Sequence, residues 1–163
     1  MAARTAAGEV PGTDPDPEAG PTPLLLYAVK QVELAVRARL DEVLRPAGIT
    51  VPQYTALSVL ARRDGLTNAE LARSSFVTPQ ATGDLVTALE RRGLVARRAD
   101  PAHGRRLLIR LTERGRDLMA GVDAEVRALE ELMTGDLSAR ERGAFRDYLN
   151  RARTALTGGP PAG

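Results

Sequence analysis

The sequence predicts a mainly α-helical fold carrying one small β-hairpin. Three observations lead there. Leu, Val and Ala recur at three- and four-residue steps over most of the chain. Helix-start signatures punctuate those runs: Thr50-Val51-Pro52-Gln53, Thr67-Asn68-Ala69-Glu70, Thr78-Pro79-Gln80 and Ser138-Ala139-Arg140-Glu141. Just after Gly93 the apolar period changes to two, over two short segments separated by turn residues.

The elements follow in order. Leu24 to Arg45 reads as a long helix with Leu26, Val29, Val32, Val36, Leu40, Val43 and Leu44 at helical spacing, stopped by Pro46 and Gly48. Its first turn, Leu24-Leu25-Leu26-Tyr27, is apolar on every side and so calls for a partner surface. Thr50 caps a second helix that turns Tyr54, Leu57, Val59 and Leu60 inward and ends at Asp64-Gly65. Thr67 opens a short third helix. Thr78 and Pro79 open a fourth, which runs to about Arg92 with Leu85, Val86 and Leu89 inward and Gly93 as its left-handed stop.

Leu94–Arg98 and Arg106–Leu111 then read as paired strands around the loop Asp100-Pro101-Ala102-His103-Gly104-Arg105. Thr112 caps a long helix carrying Leu118, Val122, Val126, Leu129 and Leu132, which ends at Gly135. Ser138 starts the last helix, with Phe145, Tyr148, Leu149, Ala152 and Leu156 on one face. Met1–Pro23, rich in Pro, Gly and Ala with four acids against one arginine, reads as a disordered acidic tail. Thr157–Gly163 reads as a second frayed end.

Composition narrows the function. A chain of 163 residues suits one domain with a helical extension. It has no cysteine, which excludes disulfides, thiolate metal sites and thiol sensing. The lone histidine, His103, has no second histidine or carboxylate pair beside it, so it reads as a turn residue or phosphate contact. No glycine-rich phosphate loop or nucleophile elbow is present, and no enzyme, metal or cofactor is expected. No apolar run approaches the ~20 residues that span a bilayer, and the start lacks a signal-peptide core. A cytoplasmic protein is expected.

Charge is uneven. Eleven arginines face six carboxylates between Arg62 and Arg114, although the whole chain carries a formal charge of only +2. Two capped helices, a turn and a basic hairpin, in that order, are the layout of a winged helix-turn-helix, which reads double-stranded DNA. Thr67 starts the first of these helices. In the second, Thr78, Pro79, Gln80, Thr82, Gly83 and Thr87 form a small polar face able to approach base edges. Arg97, Arg98, Arg105, Arg106 and Arg110 crowd the hairpin with only Asp100 opposing them locally, which suits phosphate. Arg105, beside Gly104 at the loop tip, is the candidate for minor-groove insertion. The competing readings are a solvated helix face and an edge hairpin blunted by charge.

The module takes residues 49–112, leaving apolar helices at 24–48 and 113–156 to be explained. A homodimer centred on Leu24–Tyr27 and the Tyr148–Leu156 face would hold two readers on a pseudo-palindromic operator.

The stretch from Val51 to Gly115 strongly resembles the MarR family of transcriptional regulators. Its most specific parts are the leucine-rich helix running into Glu90-Arg91-Arg92-Gly93-Leu94-Val95 and the wing ending in Leu111-Thr112-Glu113-Arg114-Gly115. The resemblance covers roughly Leu24 to Leu156. It implies a dimeric winged-helix regulator, most often a repressor, that releases DNA when a small aromatic or lipophilic anion binds between lobe and dimerisation helices. By position, Thr78 to Thr87 would enter the major groove and Arg105 the minor groove. Family geometry suggests a ligand cleft at Tyr27, Gln31, Tyr54 and Leu57. One departure stands out: where the family's wing commonly has Asp-x-Arg, this chain has His103-Gly104-Arg105. The alternative function is a winged-helix module for protein contact or small-molecule sequestration, with weak DNA binding.

Overall fold

The structure, a computed structural model, describes residues 24–75 and 77–158. Helices α1 (Leu25–Leu44), α2 (Val51–Arg62), α3 (Asn68–Ser75) and α4 (Pro79–Arg91) precede strands β1 (Val95–Ala99) and β2 (Leu107–Leu111), and α5 (Glu113–Thr134) and α6 (Ala139–Thr157) follow. Every expected element is present, each within two residues of its expected ends. The last helix runs one residue further than expected: Thr157, read as tail, is helical and Gly158 caps it. The expected tail Met1–Pro23 and the remainder of the second lie outside the described residues.

The chain divides into two compact units, up to Ala35 and from Val36 onward. Of the first, the described part is the N-terminal portion of α1. Its apolar side chains Leu25, Leu26, Tyr27, Val29, Val32 and Leu34 are all exposed, Leu25 by 84%.

In the second unit the caps account for the helix starts. Thr50 accepts from the Gln53 amide while the Gln53 side chain accepts from the Thr50 amide. The same reciprocal box closes at Ser138 and Glu141 and at Thr67 and Glu70. Each satisfies donors that the first helical turn cannot, for about 1 kcal/mol per cap. Gly48, Gly65 and Gly93 take the left-handed conformations that turn the chain after α1, α2 and α4.

The core lies under the helix-turn-helix: Leu44, Leu57, Leu60, Leu66, Leu71, Val86, Leu89, Leu94, Val95 and Ile109 are essentially inaccessible. Strands β1 and β2 pair antiparallel, Val95 opposite Leu111 and Arg97 opposite Ile109. Leu66 extends this sheet by exchanging two backbone hydrogen bonds with Ile109, which fixes the hairpin against the start of α3. Helix α6 buries no residue: Tyr148, Leu149 and Leu156 are exposed, Leu156 by 81%. Among the described residues, no helix is long and apolar enough to cross a membrane.

Candidate nucleic-acid interface

The interface is built on α3, α4 and the hairpin. Helix α4 begins at Thr78, whose hydroxyl accepts from the Ala81 amide, with Pro79 at the first helical position. The Asn68 side chain donates to the Pro79 carbonyl at 2.9 Å, so the starts of α3 and α4 are pinned together. Val86 and Leu89 then sink into the core and turn the opposite side of α4 to solvent.

That outward face differs from the expected one. Thr78, Pro79 and Gln80 are exposed, and a side chain at Gly83 would meet open space. Thr82 is buried: it follows the helical period of Val86 and Leu89, and its hydroxyl donates back to the Thr78 carbonyl. Thr82 therefore holds the helix and offers nothing to a base. Thr87 is half-buried, its hydroxyl donating to the Gly83 carbonyl and accepting from Arg97. Two exposed residues of this face were not singled out from the sequence, Asp84 and Arg91. Gln80, Asp84, Thr87 and Arg91, spaced four, three and four residues apart, share one side of the helix. Plotting the helical period from the buried positions would have found both.

The hairpin arginines divide by what lies beside them. Arg97 is half-buried and paired with Glu90, while its backbone amide also donates to that carboxylate. That amide, followed by the guanidinium, holds the Glu90 carboxyl below its ordinary pKa. Arg97 thus braces β1 against α4, its guanidinium already engaged by Glu90 and Thr87. Arg106 lies 3.2 Å from Glu70 and about 4.0 Å from Asp100. Arg110 pairs with Asp64 at 3.1 Å, and the other Asp64 oxygen accepts from the Leu111 amide. Asp100 is therefore not the sole opposing acid: Glu70, Glu90 and Asp64 reach the hairpin from other elements. The arginines also avoid direct cross-strand repulsion, because the register places Arg97, Arg98 and Arg110 opposite Ile109, Leu108 and Ala96.

Two arginines keep their guanidinium groups available. Arg98 and Arg105 form no hydrogen bond or ion pair with the described residues, and Arg98 reaches Glu90 only through its longer-range field. The loop carrying Arg105 is ordered by Asp100, whose carboxylate accepts from the Ala102 amide and whose backbone bonds to Arg106 and His103. His103, also exposed, donates its amide to the Asp100 carbonyl and accepts at its own carbonyl from the Arg106 amide. Asp100 shapes the loop around Arg105, while the Arg105 side chain itself projects without an orienting acid. Thr67 is half-buried, with its hydroxyl engaged by Glu70.

The residues expected at a ligand cleft fall in both units, Tyr27 and Gln31 in the first and Tyr54 and Leu57 in the second. Leu57 is wholly buried among core residues and cannot line an open cleft. Tyr54 is half-buried against that core, and Tyr27 and Gln31 are exposed in the other unit. A groove of about 670 Å³ lies instead between the end of α1 and α5, with Val43, Ala47, Leu118 and Val122 forming its apolar part. A smaller cavity, about 200 Å³, is lined by Leu60, Leu111 and Met119 with Asp64 and Arg116.

Comparison with known proteins agrees with this architecture. The statistical model of the MarR family matches residues 47–106. The HTH-type transcriptional repressor Rv2887 of Mycobacterium tuberculosis is 38% identical over 125 residues, covering 77% of this chain and 90% of the relative. The crystal structure of Rv2887 in complex with DNA superposes with a TM-score of 0.64 at 33% identity, covering 80% of this chain and 98% of that one. CouR from Rhodococcus jostii RHA1, solved bound to p-coumaroyl-CoA, superposes with a TM-score of 0.74 at 27% identity over 83% and 92% of the two chains. At 38% identity over 77% of its length to a relative of this family, the chain belongs to the MarR family of transcriptional regulators.

Proposed function

We propose that this protein is a sequence-specific DNA-binding regulator that represses transcription as a homodimer and is released by a small effector. The observation that carries this is the pairing of an exposed helix face (Gln80, Asp84, Arg91) with a hairpin whose Arg98 and Arg105 have no ion-pair partner among the described residues. Base edges are read by polar side chains of matching donor and acceptor pattern, whereas phosphates are held by cations whose charge is not already satisfied. The DNA complex of Rv2887 supports the same use of this fold. The exposed apolar residues of α1 and α6 support dimerisation, since a lone chain would leave them in water. Residues 24–48 and 113–156 then serve as dimerisation helices around the 49–112 reader.

Release by an effector is supported by the p-coumaroyl-CoA bound to CouR. In this chain the larger groove on α5 has the size of a ligand pocket. Protein contact without DNA reading is disfavoured by the two unpaired arginines beside the reading face. Footprinting on DNA upstream of the protein's own gene, with and without a panel of aromatic acids and their thioesters, tests the proposal. A protected pseudo-palindrome that one ligand releases is expected. Equal affinity for operator and competitor DNA would sink it.

A further inference from the structure

The reading face of α4 carries a negative charge at its centre. Asp84 is exposed, lies one turn beyond Gln80, and forms no hydrogen bond or ion pair with the described residues. Its helical neighbours three and four residues away are Gln80, Ala81, Thr87 and Ala88, none of them cationic. It stands too far from Thr78, the helix cap, to gain from the positive end of the helix dipole, which fades within the first turn. Nothing on the helix itself therefore compensates this carboxylate. On a surface that meets phosphates it weakens general DNA binding.

The rest of the face narrows what the carboxylate can do. The Thr87 hydroxyl is already occupied by Gly83 and Arg97, on the flank where the hairpin braces the helix. Gln80, Asp84 and Arg91 are left with their functional groups available, and Asp84 lies between the other two. An ionised carboxylate only accepts hydrogen bonds. In the major groove, the donor edge that suits an acidic side chain is the cytosine N4 amine, whereas guanine presents only acceptors there.

Resting on the regulator reading above, we propose that Asp84 is a specificity-determining residue that selects a C·G pair in each operator half-site. It accepts from the cytosine N4 amine and repels every register that brings phosphate or guanine N7 and O6 against it. Discrimination then comes from the cost of a wrong base as much as from the gain of the right one.

The test is selection of binding sites from a pool of randomised duplexes by the full-length protein, run in parallel with Asp84→Ala and Asp84→Asn. The wild type is expected to enrich a pseudo-palindrome with one invariant C·G column per half-site. Asp84→Ala should relax that column by about tenfold or more, while its binding to unrelated DNA tightens. Asp84→Asn should move the same column toward A·T, since an amide pairs with adenine. Matching thermal unfolding of the three proteins confirms that the exposed substitutions leave the fold intact. If the wild type enriches a site and Asp84→Ala enriches the same site with every column unchanged, or relaxes a column that is not C·G, the assignment to cytosine is overturned. If the wild type enriches nothing, the regulator reading itself fails, a separate and recognisable outcome.

Discussion

Arg106, just before β2, places its guanidinium 3.2 Å from the carboxylate of Glu70 in α3, and the same carboxylate accepts from the amide and hydroxyl of Thr67. One acid thus closes a helix cap and ties the hairpin to the first helix of the reader. The Thr67 hydroxyl, then its backbone amide, and after them the Arg106 charge lower the Glu70 pKa from 4.5 to about 2. A carboxylate whose folded pKa lies below its unfolded value stabilises fully above the unfolded value. That contribution disappears as pH falls from about 4.5 to about 2. Denaturant unfolding across this range should show an acid limb that is shallower in Glu70→Gln than in the wild type. An unchanged limb would assign the acid sensitivity to the lowered Glu90 and Glu141 carboxyls instead.

Arg97 and Arg105 should behave oppositely although both lie in the hairpin. Arg105→Ala removes an unpartnered charge, so operator affinity should fall and the slope of log affinity against log salt should shrink by about one, with unfolding unchanged. Arg97→Ala strips partners from Glu90 and Thr87 and should cost about 1 kcal/mol of stability. Its effect on DNA binding should follow the loosened hairpin rather than lost phosphate contact, leaving the salt slope near that of the wild type. Fluorescence anisotropy at several salt concentrations separates the two; identical salt behaviour would contradict the division.

Gly115 sits where the first turn of α5 meets the start of the hairpin. A Cβ there would collide with the Leu94 carbonyl oxygen, which also accepts from the Thr112 amide. Gly115→Ala should therefore destabilise by about 1–3 kcal/mol or more, since backbone must move. Gly121→Ala, further along the same helix with open space beside it, should be stabilising by about 0.5–1 kcal/mol. Thermal denaturation of the pair is the check, and equal melting points would refute this packing.

Leu25→Glu and Leu156→Glu each put a charge on an apolar surface that a single chain leaves exposed. Sedimentation equilibrium should show a dimeric wild type and weakened association in both variants, with a parallel loss of affinity for the full palindrome. A monomeric wild type at micromolar concentration would remove the dimer from the proposed function.

Much of the fold was legible because its signals are local. Thr50 with Gln53, Thr67 with Glu70, and Ser138 with Glu141 act across three residues, so their spacing alone located three helix starts. Gly48, Gly65 and Gly93 marked turns for an equally local reason, the positive φ each adopts. The site was less legible. Thr82 looked like a reading residue because it is small and polar, yet its phase on the helix matches Val86 and Leu89, so it is buried. Leu57, at a position where family geometry suggests a cleft, is closed off by the packing of the core. Asp84 and Arg91 lie beyond the first turn of α4, where no cap or proline marks the outward face.

The sequence by itself determined the order of helices and hairpin, their capped ends and the concentration of arginine around the reader, since each follows from neighbouring residues. Only the tertiary structure decided which of those arginines and threonines are available to a partner. Arg97 meets Glu90 seven residues away, Arg106 meets Glu70 across 36 and Arg110 meets Asp64 across 46. A guanidinium satisfied by a carboxylate from another element has little left for phosphate, and that pairing depends on packing between elements rather than on local pattern.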